Sequence, residues 1–476
     1  MDLEEFKKHG HALIDWIGDY YSSLEDKPVK STVKPKDILN QIPSSPPSKP
    51  EAFESIMKDV DDKIMPGITH WQHPNFHAYF PGNSSFPSLL GEIVTSTLGA
   101  QCMIWETSPA AAELEEAMMN WLKEMMNLPG NWHGVIQDTA STATLVALIS
   151  AREKKTDFKV NEHGFANQPL RVYCSEEIHS SIDKAVKIAG FGKSNLVKIP
   201  VDEKLAMIPD ALERAIKNDL EAGLVPCAVV AGSGTTGTLA FDPLSPIGAI
   251  CAEFNIWFHV DAAYAGTSRI LEEQRHLTAG LESADSYVFN PHKWMFTNFD
   301  CTAYYVKDKD ILIRSFEILP EYLKTKTQGL VNDYRDWGIQ LGRRFRALKL
   351  WFVVRSYGLE GLQSRIRDHI TYARWLEEKI KDNPQFELMA PTVLNMVVFR
   401  YVNPDLSEKQ LNEINEKIIA SINGSGEAYI THTKVQDKYV IRIVTGQTYL
   451  EHRHVEKVWS LVELHAQACL NQIPSK

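Results

Sequence analysis

The segment Ser286-Tyr-Val-Phe-Asn-Pro-His-Lys-Trp294 places a lysine just past a β-forming run. A lysine that attacks a carbonyl must first lose its proton, which favours a crowded, partly desolvated position. Lys293 meets that need if its strand belongs to an α/β sheet, whose ligand sites lie at the C-terminal edge. A second segment, Phe258-His-Val-Asp-Ala-Ala-Tyr-Ala-Gly266, ends an apolar run on Asp261. A carboxylate there is costly to bury unless it faces a cation; the plainer reading is a helix N-cap before Ala-Ala. A third, Thr139-Ala-Ser-Thr-Ala-Thr144, comes after the apolar pair Val135-Ile136. Small hydroxyl residues that open a helix suit a phosphate, or merely cap the helix. Gly232-Ser-Gly-Thr-Thr-Gly-Thr238 is a Gly/Thr turn after another apolar run, and no GK[ST] comes after it, so it is not a P-loop. His179, in Cys174-Ser-Glu-Glu-Ile-His-Ser-Ser181, again lies just past a β-forming run.

Each motif needs a strand behind it. β-rich runs occur at Arg171–Cys174, Ala228–Ala231, Ile256–Val260, Tyr287–Phe289 and Ala303–Val306. Helical patterns such as Pro209–Ala222 and Leu244–Glu253 lie between them. Strand and helix in alternation predict an α/β domain with a largely parallel, buried sheet. Five strand ends then carry, in order, a phosphate-type turn, His179, the Gly/Thr turn, Asp261 and Lys293. Beyond about Leu350 a helical stretch, β runs at Met396–Val402 and Tyr439–Val444 and a helix at Lys409–Ser421 predict a small α/β lobe.

At the other end, Leu3, Phe6, Leu13, Ile14, Ile17 and Tyr20 recur at helical spacing. That apolar face docks either on the chain's own core or on a partner subunit. Ile42–Pro50 reads as a Pro/Ser-rich linker. The expected division is 1–85, 86–350 and 351–476. The 476 residues carry a formal net charge of -11 without a basic cluster, which argues against nucleic acid or an anionic membrane as partner. Six scattered cysteines without metal-ligand spacing, no signal-like start and no long apolar run predict a cytoplasmic protein without a metal.

Taken together, these motifs resemble the group II pyridoxal-phosphate (PLP) decarboxylases, most closely the aromatic-L-amino-acid decarboxylases. The resemblance runs over nearly the whole chain. It is carried by Thr69-His-Trp-Gln-His-Pro-Asn-Phe-His-Ala-Tyr-Phe-Pro81, Ser108-Pro-Ala-Ala-Ala-Glu-Leu-Glu115, His259-Val-Asp-Ala-Ala-Tyr264, Asn290-Pro-His-Lys-Trp294, Asn298-Phe-Asp-Cys301 and Asp333-Tyr-Arg-Asp-Trp337. It implies the aspartate-aminotransferase-like PLP fold type I: an N-terminal helical dimerisation segment, a large PLP-binding α/β domain and a small C-terminal α/β domain. It also implies a homodimer with shared active sites.

By the same resemblance Lys293 forms the Schiff base with PLP, Asp261 pairs with the pyridine nitrogen and His179 stacks on the ring. Thr139, Ala140 and Ser141 hold the phosphate with Asn290 and His292, and Thr236 and Ala263 line the cofactor. Tyr322, in Pro320-Glu-Tyr-Leu-Lys324, matches the tyrosine that protonates the carbon after CO2 leaves. Trp71, Tyr79, Phe80, Pro81 and Gly82 match the substrate segment, where Gly82 replaces a Thr of animal members. Gln101 and Met103 stand where animal members carry Ile and Phe, in a stretch supplied by the neighbouring subunit. Gln101 is expected to exchange hydrogen bonds with a ring hydroxyl or indole N–H. Gly342 matches a position that points towards tryptophan-like substrates, and Asp138, where the family has Gly, must point away from a phosphate.

The implied reaction converts tryptophan, 5-hydroxytryptophan, DOPA, tyrosine or phenylalanine into its amine and CO2. Relatives that make aldehydes by oxidative deamination replace Tyr322 by Phe or His179 by Asn; this chain keeps both, so an aromatic acetaldehyde synthase is the alternative. A non-catalytic PLP-binding module is the alternative of another class, and intact Lys293, His179 and Tyr322 speak against it.

Overall fold

A computed structural model describes residues 1–165, 169–318 and 330–470. The chain forms two compact units. One comprises Met1–Pro81, Arg374–Met389 and Val398–Lys476; the other comprises Gly82–Ala373 and Ala390–Val397.

The larger unit is built on seven strands, β1 (His133–Gln137), β2 (Leu170–Ser175), β3 (Leu196–Ile199), β4 (Val225–Gly232), β5 (Trp257–Asp261), β6 (Ser286–Phe289) and β7 (Thr302–Val306). Their order across the sheet is β1-β7-β6-β5-β4-β2-β3. β3, β2, β4, β5 and β6 run parallel, whereas β7 is antiparallel to both β6 and β1. β1 therefore points the same way as the parallel set. All residues of β5, β6 and β7 are buried, as expected where helices cover both faces. The helix Ala140–Lys155 supplies Ala143, Val146, Ala147 and Ala151 to the core above β2, β4 and β6. The five β runs, and the helices at Pro209 and Leu244, lie where the sequence predicts them. β1 and β3 are additional strands.

Another helix of this unit, Phe86–Leu98, turns Ser88, Gly91 and Thr95 inwards. Its other face, Phe86, Leu90, Ile93, Val94 and Leu98, is exposed in the single chain. Gly91 is needed for the inward contact, because a Cβ there would stand 2.7 Å from the Cα of Lys349. Two helices between Arg346 and Asp382 meet at Gly358, whose φ of 63° breaks the helical path.

The smaller unit carries a sheet of β8 (Phe386–Leu388), β9 (Met396–Tyr401), β10 (Thr431–Val435) and β11 (Lys438–Val444), ordered β10-β11-β9-β8. It also holds the first helix, Leu3–Ser22, which starts with a capping box: Asp2 accepts from the N–H of Glu5 at 2.9 Å and Glu5 accepts from the N–H of Asp2 at 2.9 Å. No residue of that helix is buried, and Leu3, Phe6 and Ile14 are largely exposed. Its C-terminal half packs on this unit: the Tyr20 hydroxyl lies 2.9 Å from His70 Nδ1 and the Trp16 indole donates to Asp61 at 2.9 Å, while the N-terminal half leaves its apolar face uncovered. Ile42–Pro50 has no regular structure. Among the described residues no helix is long and apolar enough to cross a membrane.

Packing at Gly91 and burial of His77 both have measurable consequences. Gly91→Ala gains about 1 kcal/mol of helix propensity but overpacks against backbone, at roughly 1–3 kcal/mol; a lowered Tm by calorimetry is expected. His77 is fully buried, with Nδ1 3.1 Å from the carbonyl of Val444, and burial pushes its pKa from 6.5 down to about 4. The unfolded state binds the extra proton first, so stability is full above pH 6.5 and falls towards pH 4, by on the order of 3 kcal/mol for this group. Urea unfolding at pH 7 and pH 5 checks this, and His77→Gln should flatten the dependence.

Candidate active site

The direction of β1, β2, β4, β5 and β6 brings Gln137, Ser175, Gly232, Asp261 and Phe289 to one edge of the sheet. Each of these strands leads into a segment that the sequence singles out. β1 leads to Thr139, the N-cap of the Ala140–Lys155 helix. β2 leads to His179, β4 to the turn holding Thr236, β5 to Ala263, and β6 to Asn290, His292 and Lys293.

Lys293 lies on a single helical turn, Pro291–Trp294, opened by Asn290. The turn is held from several sides. The Asn83 amide donates to the Lys293 carbonyl at 2.6 Å, and the Asn83 N–H donates to the His292 carbonyl at 3.0 Å. The N–H of Cys301 donates to His292 Nδ1 at 3.0 Å. Burial, then the neighbouring Lys293, pushes the His292 imidazole down to about 3. Thr302, at the start of the reversed strand β7, donates from Oγ1 to Asn290 Oδ1 at 2.7 Å and contacts the Asp138 carbonyl at 3.0 Å. It joins the ends of β6 and β1.

Asp261 is 8% exposed. One carboxylate oxygen accepts the N–H of Ala263 at 3.0 Å, and its main-chain carbonyl accepts the N–H of Ser233 at 2.8 Å. Among the described residues it forms no ion pair with Lys, Arg or His. A nearly buried carboxylate without a protein cation fits a ligand that brings one. His179 accepts the Ser181 N–H at 3.2 Å on Nδ1, which lies 2.8 Å from Ser181 Oγ; a neutral ring so held carries its proton on Nε2. Burial lowers its pKa, Asp261 raises it and Lys293 lowers it, so the three groups share one electrostatic neighbourhood.

At the helix start, Asp138 accepts the Thr139 N–H at 2.6 Å and the Gln340 amide at 3.3 Å. Its carboxylate thus turns towards the helix start and takes a donor that a phosphate there would use. Thr139 Oγ1 accepts the Thr142 N–H at 3.4 Å. The N–H groups of Ala140 and Ser141 and the exposed Ser141 hydroxyl are the donors left at this terminus. Thr236 is exposed in the Gly/Thr turn and Ala263 is half-buried. Gly234, with φ of 88°, lets that turn lie against Ala265, which a Cβ would meet at 2.4 Å. An anion site, an uncompensated carboxylate, a planar ring and an amine around one edge fit pyridoxal phosphate as a donor set.

Gln101 and Gly342 also meet. Gln101 Oε1 accepts the Arg343 N–H at 2.7 Å, and a Cβ on Gly342 would stand 3.2 Å from Gln101 Nε2. The backbone N–H fixes the amide orientation, so the side turned towards residue 342 is a donor. Met103 is half-buried and its carbonyl accepts the Arg335 N–H at 2.9 Å; Gly82 is half-buried. Trp71, Tyr79, Phe80 and Pro81 belong to the smaller unit. There Trp71 stacks on Tyr79 with centroids 5.8 Å apart, the Tyr79 hydroxyl is 3.2 Å from that of Tyr429, and Arg442 lies 4.8 Å over Phe80. Tyr322 lies outside the described residues. Among the described residues no three His, Cys, Asp or Glu side chains form a metal cluster.

Sequence reasoning missed Asn83, Ser181 and Thr302. Thr302 comes directly after the Asn298–Cys301 stretch, and Ser181 lies two residues past His179; Asn83 had no local signal.

The sheet topology and this edge define a fold-type-I α/β enzyme. Residues 35–402 match the pyridoxal-dependent decarboxylase conserved domain, and the chain belongs to that family, whose cofactor is pyridoxal phosphate. It is 42% identical to a phenylacetaldehyde synthase of Arabidopsis thaliana, over 99% of this chain and 98% of that protein. It is also 42% identical to tyrosine decarboxylase 2 of Narcissus pseudonarcissus, over 99% and 95%. The crystal structure of Oryza sativa TDC with PLP and tryptamine superposes with a TM-score of 0.95 at 36% identity, covering 98% of this chain and 99% of that one.

Removing the Thr302 hydroxyl should leave the buried Asn290 side-chain oxygen Oδ1 unsatisfied, at a cost of about 1–3 kcal/mol. Thr302→Val is expected to lower both Tm and PLP affinity, read by calorimetry and by equilibrium dialysis of the cofactor.

Proposed function

We propose that this chain decarboxylates an aromatic L-amino acid to its arylalkylamine. The observation that carries the reading is the convergence of Lys293, Asp261 and His179 at one sheet edge beside the helix start at Thr139. Bound there, pyridoxal phosphate supplies an electron sink for the pair left when CO2 departs. Lys293 would hold it through its amine, and the Ala140 and Ser141 N–H groups with the Ser141 hydroxyl, Asn290 and His292 would hold its phosphate. The Asp261 carboxylate would hold a proton on the ring nitrogen, and the His179 ring, fixed through Ser181, would pack on the cofactor. Thr236 and Ala263 complete the lining. Tyr322 delivers the proton to the carbon that lost the carboxylate.

The substrate side draws on Gly82, with Gln101, Met103 and Gly342 from the neighbouring subunit of a homodimer. Two exposed apolar helix faces, on Leu3–Ser22 and Phe86–Leu98, support that assembly. The donor face of Gln101 suits a ring oxygen better than an indole N–H. It selects tyrosine, DOPA or 5-hydroxytryptophan over phenylalanine and tryptophan, against the expectation from Gly342 alone. Six free, buried cysteines suit a reducing cytoplasm.

Aldehyde formation is the second reading, favoured by the likeness to the Arabidopsis enzyme. Retention of both His179 and Tyr322 favours the amine. Purified, PLP-loaded protein incubated with the aromatic amino acids and with glutamate separates the two. Amine with CO2 is expected; aldehyde with hydrogen peroxide and ammonia as main products overturns the amine reading, and turnover of glutamate alone overturns the aromatic one. One hydrogen bond to a ring hydroxyl is worth about 0.5–1.5 kcal/mol. Gln101→Leu should therefore cut the tyrosine-to-phenylalanine ratio of kcat/KM by roughly 3–10-fold.

A further inference from the structure

On β5, Trp257, His259 and Asp261 alternate onto one face. His259 is wholly buried, and both its ring nitrogens are engaged. Nδ1 lies 2.8 Å from Ser286 Oγ, on the neighbouring strand at the paired register position. Nε2 lies 3.3 Å from Thr144 Oγ1, on the helix whose start is the anion site. The Trp257 indole N–H donates to the same Ser286 Oγ at 2.9 Å. The Tyr304 ring, with its centroid 6.4 Å away, closes the remaining side.

The ring is thus clamped between two hydroxyls, each able to donate or accept, so a neutral imidazole is satisfied in either tautomer. A cationic ring would find the same two oxygens as acceptors, so the clamp fixes its place and complete burial fixes its charge, holding the pKa at about 4 against the pull of Asp261. The charged or titratable groups facing it are Asp261 on its own strand and Tyr304 across the sheet. Were the ring cationic, it would pair with Asp261 and take up the charge that a bound pyridinium needs.

Resting on the PLP reading above, we infer that His259 is a positioning residue for Asp261: a neutral ring, locked by Thr144 and Ser286, that fills the space along the strand without compensating the carboxylate. The lock also ties Asp261 to the phosphate-side helix, since Thr144 lies on it. The residue acts through Asp261 and touches no reacting atom.

The test compares His259→Phe, which keeps a ring and loses both bonds, with His259→Gln, which keeps a donor and an acceptor and does not titrate. Two readouts are taken on full-length protein: PLP affinity by equilibrium dialysis, and the pH titration of the visible absorption of bound cofactor. A tenfold or greater loss of affinity and a shifted titration are expected for His259→Phe, with at least half of the loss, on a logarithmic scale, recovered in His259→Gln. Steady-state kinetics should show kcat falling with KM for the amino acid unchanged. Native affinity and titration in His259→Phe overturn the inference, and so does equal impairment of both variants. If His259→Phe does not fold, Thr144→Val and Ser286→Ala, each removing one clamp, decide by the same readouts. Failure of the wild-type chain to bind PLP overturns the cofactor-site reading instead, so the two failures are distinct.

Discussion

The carboxylate of Asp261 is the constraint around which the larger unit is arranged. It sits at the inner end of a central strand, nearly buried, and no cationic side chain among the described residues pairs with it. Such a group is expensive unless backbone donors and a ligand share the cost. The structure provides the backbone part: the Ala263 N–H takes the carboxylate, and the Ser233 N–H takes the carbonyl of the same residue. The shared direction of β2, β4, β5 and β6, and of β1 beyond the reversed β7, places His179, Lys293 and the start of the Ala140–Lys155 helix along the same edge. Charge that the fold leaves uncompensated is charge available to a cofactor.

Strands with compact β-branched or aromatic runs were legible, because a buried parallel strand has no polar alternation to confuse it. β1 was not, since only Val135 and Ile136 mark it within His133–Gln137. β3, Leu196–Ile199, was missed because three of its four residues are only half-buried and one is a lysine. The reversal of β7 had no local signature at all. The connection after β6 holds a single helical turn, Pro291–Trp294, and no helix that spans the sheet, so the chain returns antiparallel. At the site, Lys293, Asp261 and His179 were readable as chemistry at strand ends. Asn83 and Thr302 were not, because their roles come from contacts with chain far away in sequence. His259 reads as one more core residue until Thr144 and Ser286 are seen on its two nitrogens.

Gln101 shows how a side chain changes meaning with its neighbours. From sequence it is an amide that can give or take. Beside Arg343 its oxygen is held by a backbone N–H, and only the donor side faces Gly342. Arg343 is itself fixed, with its guanidinium 2.6 Å from Glu115 and donating to the Ile136 carbonyl at 2.7 Å. The polarity presented at residue 342 is therefore set by a buried ion pair at the end of β1.

The clasp of Asn83 on the Lys293 carbonyl closes a loop of 210 residues. Contacts of such separation are costly to form early, because the entropy of the whole intervening chain must be given up first. During synthesis from the N-terminus, Asn83 waits until 210 further residues have been added before its partner exists. Strands β2 to β5 can gather before then, but β7, and β1 that pairs only with it, join the sheet after the lysine has been made. The edge that carries Thr139, Asp261 and Lys293 is thereby completed only once β7 has closed the gap between β6 and β1.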